Sequence, residues 1–213
     1  MQESSTPLAG LYAISEQGWH ERPMSEVEQL VREAFLGGVK IFQLRQKGVS
    51  DEELLPLARF LRRLCREFGV LFIINDRLKL AQEVRADGVH LGHEDTGIVQ
   101  AREILPHAII GISCYGDMKR AREMERQGAD YVAFGACFAS PSKPNATVIG
   151  TEIFAEKLSI PRCAIGGISA KNAHLLASSE MIALISALWS GGAREVQARA
   201  RAILCAWRGE SGI

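Results

Sequence analysis

Short apolar runs alternate along this chain with longer stretches in which apolar side chains recur at helical spacing. Residues 8–15 predict a first strand. Val27, Leu30, Val31, Ala34 and Phe35 then share one helical face, and Gly37-Gly38 ends it. Ser25-Glu26-Val27-Glu28 at its start has the form of a capping box, in which the serine takes the Glu28 amide hydrogen and Glu28 reaches back. A second strand is predicted over 39–44. Ser50-Asp51-Glu52-Glu53 repeats the capping-box form ahead of a helix with a long apolar face of Leu54, Leu57, Ala58, Leu61, Leu64, Cys65 and Phe68. Pro56, early in that helix, predicts a bend. Further strands are predicted at 70–75, 87–91, 108–113, 129–135, 161–166 and 181–186, with helices near 77–85, 97–105, 116–128, 149–158, 169–178 and 192–207.

This pattern makes eight β-then-α units of about 25 residues each. Repeated βα units require parallel strands joined by right-handed crossovers. The expected fold is therefore α/β, a single parallel eight-stranded (β/α)8 TIM barrel, with a doubly wound open sheet as the alternative. The chain has 213 residues and 47% hydrophobic content, enough for one such core. One domain over 1–213 is expected, with its core at about 8–207 and loose ends at 1–7 and 208–213. A formal net charge of zero argues against a broad nucleic-acid or membrane surface, while leaving room for a local cationic pocket. No apolar stretch approaches the roughly 18 residues of a membrane helix. The start, Met1-Gln2-Glu3-Ser4-Ser5, is polar and lacks a secretory core. Five scattered cysteines without a Cys-x-x-Cys read as reduced, mostly buried thiols of a cytoplasmic protein.

Functional groups of such barrels collect at the C-terminal ends of the strands. Period-two alternation puts Gln43, Arg45 and Lys47 on one side of the second strand, and Phe42 and Leu44 on the other. They read either as a ligand-binding edge or as solvated charges on a fraying strand. The third strand ends Asn75-Asp76 and the fourth is followed by Asp95. Two carboxylates beyond neighbouring strands can share a Mg²⁺ ion, which takes one or two carboxylates and completes its shell with water and phosphate oxygens. Either aspartate also reads as a helix cap. His90 reads as a packed barrel histidine, and Ser113 as a residue without a nearby histidine to activate it. Ser140, Ser142 and Lys143, flanked by Pro141 and Pro144, suit a phosphate cradle or an ordinary surface loop. Gly166-Gly167 and Ile185-Ser186 end the last two strands, where barrels of phosphate-binding type hold that group.

Taken in order, Gln43-Leu44-Arg45-Gln46-Lys47, Ile74-Asn75-Asp76-Arg77, Ala86-Asp87-Gly88-Val89-His90-Leu91-Gly92, Ser140-Pro141-Ser142-Lys143 and Ile165-Gly166-Gly167-Ile168 resemble the thiamine phosphate synthase family. The resemblance implies a transferase of thiamine biosynthesis. Such an enzyme joins an aminomethylpyrimidine methyl diphosphate to a phosphorylated thiazole and releases pyrophosphate. It further implies that Asp76 and Asp95 hold Mg²⁺, and that Gln43, Leu44, Arg45, Gln46, Lys47, Asn75 and Ser113 contact the pyrimidine diphosphate. Ser140, Pro141 and Ser142 would meet the thiazole, Lys143 the diphosphate, and Gly167, Ile185 and Ser186 the thiazole phosphate. Arg45, Lys47, Ser113 and Lys143 would carry the catalysis.

The implied partners are small molecules, with no nucleic acid or membrane among them, and a homo-oligomer is left open. Three departures from the family pattern stand out. His93 replaces a frequent glutamine, Cys114-Tyr115 replaces a histidine-bearing segment, and Ser178-Ser179-Glu180 shortens the turn before the last strand. Two rival readings share the fold: a thiazole tautomerase, and a non-catalytic barrel that binds a thiamine precursor. Tautomerisation calls for a histidine where Tyr115 stands.

Overall fold

The structure is a computed structural model and describes residues 8–92, 97–140 and 146–210. Its strands are β1 (Gly10–Ile14), β2 (Val39–Leu44), β3 (Leu71–Asn75), β4 (Gly88–Leu91), β5 (Ile109–Tyr115), β6 (Tyr131–Phe134), β7 (Arg162–Ile165) and β8 (Met181–Leu184). Each pairs in parallel with the next, and β1 also pairs with β8, so the ring closes and the open-sheet alternative falls. The helices are α1 (Met24–Leu36), α2 (Asp51–Phe68), α3 (Leu78–Glu83), α4 (Ile98–Ile104), α5 (Met118–Arg126), α6 (Ser186–Trp189) and α7 (Ala193–Arg208).

Period two sorts the strand residues into two layers. Tyr12, Ile41, Ile73, Tyr131, Cys163 and Met181 point into the barrel and pack on one another. Leu11, Phe42, Phe72, Val89, Ile110 and Val132 point outward and pack under the helices. At about 25 cal/mol per Å² of buried apolar surface, this two-layer core is the main source of stability.

Three strand pairs are fastened in the same way at the N-terminal end of the barrel. The residue just before β4, β6 or β8 is a carboxylate, and it accepts the backbone N–H of the preceding odd-numbered strand. Asp87 takes Phe72 N at 2.7 Å, Asp130 takes Ile110 N at 2.7 Å, and Glu180 takes Arg162 N at 2.8 Å. Each carboxylate also holds an arginine, Arg62, Arg102 and Arg162 respectively. Glu180, the carboxylate introduced by the short turn, thus lies at the end of the barrel opposite the strand C-termini.

Local expectations are met in some places and corrected in others. Ser25 caps nothing: α1 starts at Met24, so Ser25 already lies inside the helix, and the Pro23 carbonyl receives the Glu26 and Val27 amides. The Ser50/Glu53 capping box is fully formed. α2 runs unbroken through Pro56. The helices expected at 149–158 and 169–178 shrink to 3-10 turns, Glu152–Ala155 and Ala173–Leu176. Ahead of the second, the Asn172 side chain closes a local turn, accepting Ser169 N and donating to Gly167 O. α6, directly after β8, was not expected.

Candidate active site

A cavity of about 760 Å³ opens at the C-terminal ends of the strands. Gln43 enters it from β2 as a buried side chain whose Nε2 donates to Tyr12 Oη at 2.6 Å. β2 stops at Leu44, so Arg45 and Lys47 reach the cavity from the loop beyond it. Ser15 Oγ fixes that loop by accepting Arg45 N at 2.9 Å. Leu44 and Gln46 do not line the cavity. Leu44 packs outward in the core. Gln46 is buried and spends its amide on the neighbouring loop, donating to Glu16 O and accepting from Gly18 N and Trp19 N.

Asp76 lines the cavity from the turn after β3. Its φ is +62°, a left-handed conformation that aspartate tolerates better than most residues but that still costs free energy. Two backbone bonds hold the turn, Asp76 N to His90 O and Arg77 N to Asn75 O. The carboxylate accepts from the Asn75 side-chain amide, and Lys47 Nζ stands 4.0 Å away. Asp76 is therefore not the cap of α3, whose N-cap is Arg77 without a side-chain bond. Arg77 instead bonds Asp51 and the carbonyls of Gln46 and Val49, tying the Arg45–Lys47 loop to the aspartate turn. Among the described residues, Asp76 is the one carboxylate that lines the cavity. Asp95 lies outside the described residues.

Ser113, on β5, faces the cavity and has a histidine after all. His90 Nε2 lies 2.9 Å from Ser113 Oγ, and His90 Nδ1 lies 2.9 Å from Tyr131 Oη. Tyr131 Oη in turn lies 2.9 Å from Tyr12 Oη. Register explains why sequence proximity hid this: His90 sits opposite Gly111, two residues before Ser113 on the same face of β5. Gly111 is needed there, because a Cβ would fall 2.0 Å from Tyr131 Cζ. Burial pushes the hydroxyls of Tyr12 and Tyr131 well above the ordinary tyrosine range, so both stay protonated. The two tyrosines had no signal in the sequence beyond falling on the inward period of β1 and β6.

The opposite wall carries Gly167, Ile185, Ser186 and Ser140. Gly167 has φ +65°, and a Cβ would fall 2.5 Å from Phe138 O, so only glycine fits the close approach of the two loops. Pro141, Ser142 and Lys143 lie outside the described residues. The cysteines of the described chain are free thiols. Burial raises Cys114 and Cys137 to about 11, leaving no thiolate for nucleophilic chemistry at neutral pH.

Fold and cavity placement define the class: a closed (β/α)8 barrel with its cavity at the C-terminal face of the strands. A family model described as thiamine monophosphate synthase matches residues 11–188, and the chain belongs to that family. It is 55% identical to thiamine-phosphate synthase of Wolinella succinogenes, over 94% of this chain and 95% of the relative. The thiamine-phosphate synthase of Bordetella avium is 41% identical over 91% of this chain and 93% of the relative. Among solved structures, thiamine phosphate pyrophosphorylase from Pyrococcus furiosus superposes with a TM-score of 0.82 at 36% identity, covering 96% of this chain and 98% of that one.

Proposed function

We propose that this chain is a thiamine-phosphate synthase. It would condense 4-amino-2-methyl-5-(diphosphooxymethyl)pyrimidine with a phosphorylated (carboxy)methylthiazole and release pyrophosphate. Family membership and the two full-length relatives support the activity. One observation carries the assignment of the site: the Asp76 carboxylate projects from a strained left-handed turn into the same cavity as Lys47 and Arg45.

The residues fit a Mg²⁺ ion. Asp76 offers a hard oxygen at a cavity that also receives two cationic side chains, so a phosphate-bearing ligand would complete the shell. Asp76 and Asp95 are the residues that would hold it, and when bound it would stabilise negative charge on the departing diphosphate. Arg45, Lys47 and Lys143 would share that task, and Ser113 would donate to the same substrate. Gln43 and Asn75 would orient the pyrimidine, with Leu44 and Gln46 holding the wall from behind.

No side chain need act as nucleophile. The thiazole nitrogen attacks the methylene carbon. The C–O bond breaks with its electron pair leaving on pyrophosphate, and the electron-rich aminopyrimidine supports a dissociative path. The thiazole phosphate would sit against Gly167, Ile185 and Ser186, with Ser140, Pro141 and Ser142 on the ring side. Loops after the seventh and eighth strands are the recurrent phosphate position of such barrels. Holding both substrates in line supplies the remaining rate enhancement.

A cytoplasmic location fits this reading. Among the described residues no helix is long and apolar enough to cross a membrane. The test mixes purified protein, both substrates and Mg²⁺. Pyrophosphate release with a fluorescent thiochrome product after oxidation is expected. Isomerised thiazole without coupling, or binding without turnover, would replace this reading with the tautomerase or the non-catalytic barrel.

A further inference from the structure

A continuous line of hydrogen bonds crosses the barrel interior beneath the cavity, from Gln43 through Tyr12, Tyr131 and His90 to Ser113. Four strands contribute to it besides β2: β1, β6, β4 and β5. Its direction follows from counting donors. The Gln43 Nε2 group can only donate, so Tyr12 Oη accepts from it. Tyr12 is 1% exposed and must place its own hydrogen, and the remaining partner is Tyr131 Oη. Tyr131, also 1% exposed, therefore gives its hydrogen to His90 Nδ1. An imidazole that accepts at Nδ1 carries its proton at Nε2, and Nε2 faces Ser113 Oγ at 2.9 Å. With its oxygen occupied by that donor, the Ser113 hydroxyl is left to point its hydrogen into the cavity.

We propose that His90 is a positioning residue, held by Tyr131 as the neutral Nε2–H tautomer, which commits Ser113 to donate a hydrogen bond to an acceptor atom of the pyrimidine diphosphate. This deepens the synthase reading and rests on it for the identity of the substrate. At its other end the line takes one hydrogen of the Gln43 Nε2 group, which keeps a second hydrogen beside the carbonyl oxygen. The floor is thus a fixed dipolar relay that ends in the hydroxyl hydrogen of Ser113. It moves no net charge, since burial keeps both tyrosine hydroxyls protonated. Neutral hydrogen bonds aligned head to tail strengthen one another in a low-dielectric interior. Preorganising a donor before the substrate arrives lowers the reorganisation needed at the reacting centre.

The experiment labels the histidines of the full-length protein with ¹⁵N and reads ring tautomers by NMR, assigning His90 by the signal lost in His90→Gln. The Nε2–H form is expected in the wild type across neutral pH. Tyr131→Phe should release the tautomer into a mixture and lower kcat about tenfold or more, while KM for the pyrimidine diphosphate changes less than about threefold. A wild-type Nδ1–H tautomer would overturn the proposal, because the line would then run the other way and Ser113 would accept. So would an imidazolium, or an unaltered kcat in a folded Tyr131→Phe. Should that variant fail to fold, the wild-type spectrum still decides. Absence of coupling activity beside an Nε2–H signal would instead count against the synthase reading alone.

Discussion

Asp76 combines a strained backbone with a charge pointed at the cavity. A left-handed non-glycine residue costs about 1 kcal/mol or more and persists only where its surroundings impose it. Asparagine tolerates the same conformation, so Asp76→Asn removes the charge while keeping the turn. We expect kcat/KM to fall at least about a hundredfold and thermal stability to stay within about 1 kcal/mol, checked by coupled assay and thermal melt. Gly111→Ala should behave differently. The added methyl would overlap the Tyr131 ring, destabilising the barrel by about 1–3 kcal/mol and breaking the contact with His90, visible as a lower Tm and a shifted imidazole signal. Sequence alone could reveal polar groups at strand ends, because period-two alternation marks Gln43, and the strand-terminal position marks Asn75 and Ser113. It could not reveal that His90 serves Ser113. That contact depends on strand register across β4 and β5, which no local pattern encodes.

The elements were legible where periodicity was strong and vague over the short segments before β7 and β8. α2 was readable from its cap to its apolar face, and its N-terminus carries the formed capping box. The expected helix over 169–178 is reduced to the 3-10 turn Ala173–Leu176, behind a local turn closed by the Asn172 side chain. Ser25 and Ser50 had the same motif, yet only Ser50 stands just before its helix. Ser50→Ala should therefore cost about 1 kcal/mol in denaturant unfolding, and Ser25→Ala less than about 0.5 kcal/mol.

The Glu180 clip carries a pH signature. Partial burial opposes its charge, but the hydrogen bonds from Arg162 outweigh that effect and hold the carboxyl below the usual range. A lowered folded value stabilises the protein above the unfolded carboxyl pKa, and the contribution disappears as pH falls through the folded one. Glu180→Gln should therefore melt lower than wild type at about pH 6, with the gap closing towards about pH 3. A gap that stayed constant over that range would contradict the ion-pair account.

At the scale of the whole molecule, a closed barrel separates two duties. Carboxylates at the N-terminal end of the strands fasten neighbouring pairs, and polar groups at the C-terminal end converge on one cavity. Closure itself was legible from the count of βα units, and the β1–β8 pairing realises it. The central claim is that this cavity holds a diphosphate through Asp76, a divalent ion and the cations of the β2 loop. The most direct test is anomalous diffraction from crystals grown with Mn²⁺ and pyrophosphate. The account expects a metal peak about 2.1 Å from an Asp76 carboxylate oxygen and from pyrophosphate oxygens, with Arg45 or Lys47 on the same anion. A metal bound away from Asp76, or pyrophosphate seated outside the cavity, would contradict it.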